Sequence, residues 1–358
     1  MASHETRQSA RTPRPNVVSC ARLQPFRYNP HTITVDDEFV WISGGLPNPH
    51  EYELPVSKTH DTFILKFTKA GQFVMQIGTP YTGSGTTDLH NFNRPCGHKV
   101  KGDELYVADG HGYVRIAVLD VHTGELKRQW GGYGLVPNIS LPEEQRYGRT
   151  VHGVAVSNDG FVYVCDRNRG LIFVHRTDGT FVQEVKLVSL PTGVPPSPMR
   201  SIFPMFAGPW GVDFSPDAEQ KYLLLATIDQ MIFILDRASM SLLTTIGGTG
   251  VGPGFFNNMH SIATNSDGDV FVSEIAHGRV QKFKNLGETT FPRYAHLPPY
   301  TETPPPQSGP RYTGGAALAV GLMHLGCPES DLLKPPISTI FGAFIDAEKE
   351  CTNDSWLW

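Results

Sequence analysis

The chain has 358 residues, 39% of them hydrophobic and 18% charged, with 36 glycines, 29 prolines and a net charge of -5. That is enough chain to bury a large core, and an acidic balance with no block of like charge argues against a nucleic-acid partner. No apolar run reaches the roughly 18 residues that a transmembrane helix needs, so no membrane partner is expected.

Residues 1–28 are polar and Arg/Ser-rich, without the apolar centre of a secretory signal. Cytoplasmic location is therefore the default expectation, with secretion if the N-terminus is incomplete. Residues 31–78 contain the apolar runs Phe39–Gly44, Phe63–Thr68 and Phe73–Gly78, with an insertion from Leu46 to Thr62. Residues 94–130 repeat the pattern, with Leu105–Asp109, Arg115–Asp120 and a last strand ending at Trp130.

The clearest unit is 150–184: strands at 154–156, 161–165 and 171–175, and a fourth from Phe181, separated by Asn158-Asp159-Gly160 and Thr177-Asp178-Gly179. Asp-Gly between short β-branched runs is a strong hairpin signal, and four short antiparallel strands in about 40 residues describe one propeller blade. Residues 209–248 and 259–285 give two more units.

Five blades are legible, all-β, and a closed ring of six is expected. The sixth would come from residues 1–28, from the C-terminal tail or from both, because a closed ring leaves no edge strand unpaired. The domain reading is a polar segment at 1–28, a propeller at 29–290, a Pro-rich linker at 291–313 and a tail at 314–358. A monomer is expected. The five cysteines form no CxxC pair, so no disulfide framework is expected, and Cys165 reads as a buried strand residue.

One register position carries the chemistry. At the start of the first strand of successive units stand His31, Cys96, His152, Trp210 and His260. A single strand-opening His is ordinary, but three in one slot of a closed ring converge on its axis. Three neutral imidazoles with an open fourth position are a zinc site. Cys96 reads as buried filler or a fourth soft ligand, and Trp210 as packing near the axis. Asp109, Asp166 and Glu274, each after a second strand, read as turn caps or as outer partners of the histidines. Arg167 and Arg169 read as solvated turn charges. His98, His175 and His277 fall outside the slot and read as surface or turn residues.

The pattern Pro-x-Gly-Val-Ala-Val, Asp-Gly, Val-Tyr-Val-Ala-Asp, Arg-Ile over residues 29–285 resembles the NHL repeat. The strand-opening histidines resemble those of peptidyl-α-hydroxyglycine α-amidating lyases and their microbial relatives. The resemblance implies a six-bladed propeller holding one zinc through His31, His152 and His260. It implies a catalytic role for Arg167, the residue after Asp166. His111 stands where that family has a catalytic Tyr, with Tyr113 two residues on, and either is a candidate base. A further Arg belongs to the blade before His31, with Arg22 and Arg27 as stand-ins. Ser261 replaces the family's calcium-binding Asp, which counts against calcium.

The resulting expectation is a zinc-dependent lyase that breaks a C–N bond of a small-molecule or peptide substrate in the central channel. A hydrolase at the same site is the second choice, and a non-catalytic NHL scaffold for a protein or peptide partner is the alternative.

Overall fold

The computed structural model describes residues 30–44, 63–79, 82, 85–187 and 208–285. All lie in one compact unit, Phe26–Cys327. The expected linker and tail, Arg22, Arg27 and the whole Leu46–Thr62 insertion lie outside the described residues.

Five antiparallel sheets follow one another along the chain. The first contains β1 (Pro30–Val35), β2 (Phe39–Gly44), β3 (Ile64–Thr68) and β4 (Phe73–Ile77). The second contains β5 (Gly97–Lys101), β6 (Glu104–Asp109), β7 (Arg115–Asp120) and β8 (Leu126–Trp130). The third contains β9 (Val151–Val156), β10 (Phe161–Asp166), β11 (Leu171–Arg176) and β12 (Phe181–Lys186). The fourth contains β13 (Pro209–Phe214), β14 (Tyr222–Thr227), β15 (Met231–Asp236) and β16 (Leu242–Gly247). The fifth has three strands among the described residues, β17 (Met259–Thr264), β18 (Val270–Glu274) and β19 (Arg279–Phe283).

The second and third strands of the second, third and fourth sheets read as near-continuous apolar runs because both faces are covered. Leu223, Leu224, Leu225 and Ala226 of β14 are all buried, for example, while Leu242 and Leu243 of the outer strand β16 are exposed. Separate apolar clusters fill the space between successive sheets. Trp41 and Leu105 meet between the first and second, Val118 and Phe173 between the second and third, Cys165 and Phe233 between the third and fourth, and Ile234 and Val272 between the fourth and fifth. Stacking blades bury what a single blade could not.

The expectation of six blades is corrected here to five. The first strands of all five sheets line one axial channel. His31 of the first sheet and His260 of the fifth have ring centroids 4.7 Å apart, as close as His152 and His260 at 4.8 Å. The first and last sheets therefore approach each other at the axis through these rings, and the described residues form five blades. In a five-membered ring blades one and five are neighbours, so the three histidines do not occupy strictly alternate blades.

Close approach at the axis explains the glycine that follows three of the five slot residues, Gly97, Gly153 and Gly211. A Cβ on Gly97 would lie 2.5 Å from the His152 carbonyl oxygen, and one on Gly153 would lie 3.0 Å from the Trp210 carbonyl oxygen. Only glycine lets the neighbouring inner strands come so near. Gly97→Ala is expected to lower stability by about 1–3 kcal/mol, read as a fall in thermal midpoint; an unchanged midpoint would show that the inner strands can part freely.

Candidate metal centre

Four of the five slot residues are raised toward the axis by an irregularity in the sheet. The β1–β2 pairing steps from Pro30 to Thr32, the β13–β14 pairing from Pro209 to Gly211, and the β17–β18 pairing from Met259 to Ser261. His31, Trp210 and His260 are the skipped residues. In β9, His152 and Gly153 together face the single residue Cys165 of β10. A bulge bends a strand and redirects a side chain, and here it aims the slot side chain at the channel instead of into a blade interface.

The result is a cluster of His31, His152 and His260, all buried, each with a ligand nitrogen within 4.8 Å of the others. Their tautomers follow from their partners. His31 Nδ1 donates to the Cys96 carbonyl at 2.9 Å, and His152 Nδ1 donates to the Trp210 carbonyl at 2.6 Å. A carbonyl only accepts, so both rings carry the proton on Nδ1 and present a bare lone pair on Nε2. His152 Nε2 is buried and has no hydrogen-bond partner. His260 Nδ1 lies 3.3 Å from Ser261 Oγ. Burial holds all three neutral: it pulls His31 down to about 4 against the opposing Cys96 hydrogen bond, and His152 and His260 well below the ordinary range, with neighbouring histidines adding to the effect on those two and Arg167 on all three.

Three neutral imidazole nitrogens, one an orphaned buried acceptor, fit a divalent zinc-type ion. Around them stand His111, its ring 4.8 Å from His31 and 5.6 Å from His152, and Trp210, 4.9 Å from His152 and 5.2 Å from His260. The Arg167 guanidinium lies 4.3 Å over the Trp210 ring and donates to Thr150 Oγ1 at 3.2 Å. Burial lowers Arg167 only to about 10, so it stays cationic at neutral pH. Arg94 donates to the His111 carbonyl.

The other candidates have partners of their own. The Tyr113 hydroxyl accepts the Gly85 N–H at 2.9 Å, and Arg115 lies against its ring. Cys96 is buried with its thiol pushed up to about 12 by desolvation, and Sγ lies 3.6 Å from the Arg94 carbonyl. Asp109, Asp166 and Glu274 accept the N–H groups of Asn93, Gly148 and Asn257. These carboxylates anchor the loops that lead into three slots, while the fixed histidine protons go to main-chain carbonyls. Asp109 also binds Arg115 at 3.0 Å, and Glu274 binds Arg279 at 2.5 Å and His277 at 3.0 Å.

Two histidines read as surface or turn residues are in fact buried. His175 is enclosed between the Tyr147 hydroxyl at 2.8 Å and the Gly179 carbonyl at 3.2 Å. His98 lines the channel. Neither occupies the slot, and a position within an inner strand gives no periodic signal of whether it faces the channel.

Among the described residues no helix is long and apolar enough to cross a membrane. No curated protein matches this chain. Among solved structures it is similar to the β-propeller domain of Cps50 (Swd1) from Myceliophteria thermophila, at 11% identity and TM-score 0.45 over 77% of this chain and 70% of that one. A protein of unknown function from Bacteroides caccae is similar at 12% identity and TM-score 0.44, over 69% and 71% of the two chains. The WD40 β-propeller domain of Doa1 is similar at 14% identity and TM-score 0.42, over 67% and 58%. The NHL repeat family matches residues 149–174. That stretch runs from just before β9 into β11 and includes His152, so the third blade of this β-propeller is similar to the NHL repeat.

Proposed function

We propose that the chain is a zinc-dependent carbon–nitrogen lyase acting on carbinolamides of the peptidyl-α-hydroxyglycine type. One observation carries this reading: three buried imidazoles converge at the channel axis, two of them with the proton fixed on Nδ1 by a neighbouring blade's main chain. Zinc bound there supplies Lewis acidity to a substrate oxygen.

The remaining groups fit the needs of the reaction. Arg167, held against Trp210, offers paired N–H donors to a substrate carboxylate. His111 is kept neutral, its pKa drawn well below the ordinary range first by burial and then by the neighbouring His31, Arg167 and Arg94. It is the base in this reading: it takes the substrate's hydroxyl proton and returns a proton to the amide nitrogen as the C–N bond breaks. The products are an amide and an aldehyde acid. Tyr113 is the alternative base, already engaged with Gly85.

The test is aldehyde-acid release from an α-hydroxyglycine peptide by the zinc-supplied chain. His111→Phe is expected to lower kcat by roughly 10²–10⁴-fold, and Arg167→Met to raise KM while the metal is retained. A zinc-loaded wild-type chain that releases no aldehyde rejects the lyase and leaves the binding scaffold.

A further inference from the structure

The channel continues beyond the trio. Its cavity, of about 100 Å³, is bounded by the slot residues at one end and by Val35, Lys99 and Asp213 at the other. In it stands a fourth imidazole. Thr34 Oγ1 donates its only proton to the His98 carbonyl at 2.6 Å. The 2.8 Å contact between Thr34 Oγ1 and His98 Nδ1 must therefore have Nδ1 as donor. His98 thus has the same tautomer as His31 and His152, with a bare lone pair on Nε2. That nitrogen is buried without a partner in a side chain only 5% exposed.

The two ends of the channel differ in their charged groups: the hairpin-turn end brings carboxylates beside its cations. On the slot side stand the guanidinium groups of Arg94 and Arg167, which oppose a cation and suit an anionic substrate. At the other end, every blade turns from its first to its second strand through an acidic residue, Asp36, Asp103, Asp159, Asp217 and Asp267, with Lys101 and Lys221 at two of the same turns and Arg237 paired to Asp159 at 2.9 Å. The mouth on this side is crossed by an ion pair. Lys99 of the second blade reaches Asp213 of the fourth at 3.4 Å, linking blades that are not neighbours in the ring.

We propose that divalent metal ions reach the histidine trio through the channel from the hairpin-turn face, with His98 Nε2 as an intermediate ligand and the Lys99–Asp213 pair as the gate. The proposal rests on the metal reading of the trio. It divides the two approaches: cations arrive past carboxylates and His98, and substrate arrives on the arginine side.

The experiment uses the full-length apo chain and cobalt(II), whose absorption reports ligation, in stopped-flow uptake and in release to excess chelator. His98→Gln and His98→Phe are expected to slow uptake and release by the same factor, about tenfold or more, because a way-station lowers the barrier in both directions. The dissociation constant then stays unchanged. Lys99→Met, which removes the crossing ammonium, is expected to speed both rates alike. Thermal melts of each variant separate these effects from misfolding. Wild-type rates in all three folded variants, or an altered affinity without matched rate changes, would overturn the route while leaving the trio intact. A wild-type chain that takes up no cobalt would overturn the metal reading and the route together.

Discussion

Purified without chelators or a His-tag, the wild-type chain is expected to carry about one zinc per molecule, and His152→Ala to carry none. His152 is the decisive position because its Nε2 has no partner within the protein and its Nδ1 proton is held by the Trp210 carbonyl. A buried acceptor left unsatisfied costs about 1–3 kcal/mol, and an ion that takes the lone pair removes that cost. Loss of one of three ligands should weaken binding well beyond the roughly 10–100-fold that follows loss of an outer partner. His98→Ala, in the channel but outside the trio, should keep full stoichiometry. Metal content by mass spectrometry decides it. Equal zinc in wild type and His152→Ala would place the metal elsewhere; none in either, even after zinc is supplied, would end the metal reading.

The blades were readable because both of their signals are local. Asn158-Asp159-Gly160 and Thr177-Asp178-Gly179 punctuate runs such as Phe161–Asp166 and Leu171–Arg176, and the strands form where those turns direct. The slot was readable because a repeat superimposes positions far apart in sequence, and His31, His152 and His260 do meet. Blade number was not readable, because it depends on the angle between neighbouring sheets. That angle is set by contacts such as Gly97 against the His152 carbonyl, which no single repeat displays. The bulges that lift His31, Trp210 and His260 were equally hidden: they insert one residue into a pairing whose partner strand lies a dozen or so residues away. His98 and His175 escaped for a related reason. Each stands at an ordinary strand position, and only the tertiary neighbours, Thr34 for one and Tyr147 for the other, define its surroundings.

The same buried imidazoles should make the metal-free chain unusually sensitive to mild acid. Desolvation draws His31 and His175 down to about 4 and His98 to about 3. In the unfolded chain these groups titrate near 6.5. As pH falls below that value the unfolded state binds protons that the folded state refuses, so stability declines toward acid. The contribution is fully present above about 6.5 and is lost progressively down to the folded values near 4 and 3. Each of these groups lowers stability in that interval, and Asp166, whose carboxyl burial raises to about 6, offsets part of the loss. Carboxylates alone would delay the loss to lower pH. The apo chain is therefore expected to show a steep fall in thermal midpoint between pH 6.5 and 5. The zinc-loaded chain should hold its midpoint further into acid, because protons must then displace the metal from His31, His152 and His260. His175→Phe, which removes one buried imidazole outside the channel, should flatten the apo slope by about one proton's worth. A midpoint constant from pH 7 to 5 in the apo chain would mean that these rings are hydrated or protonated in the folded state, and that the channel is open to water along its length.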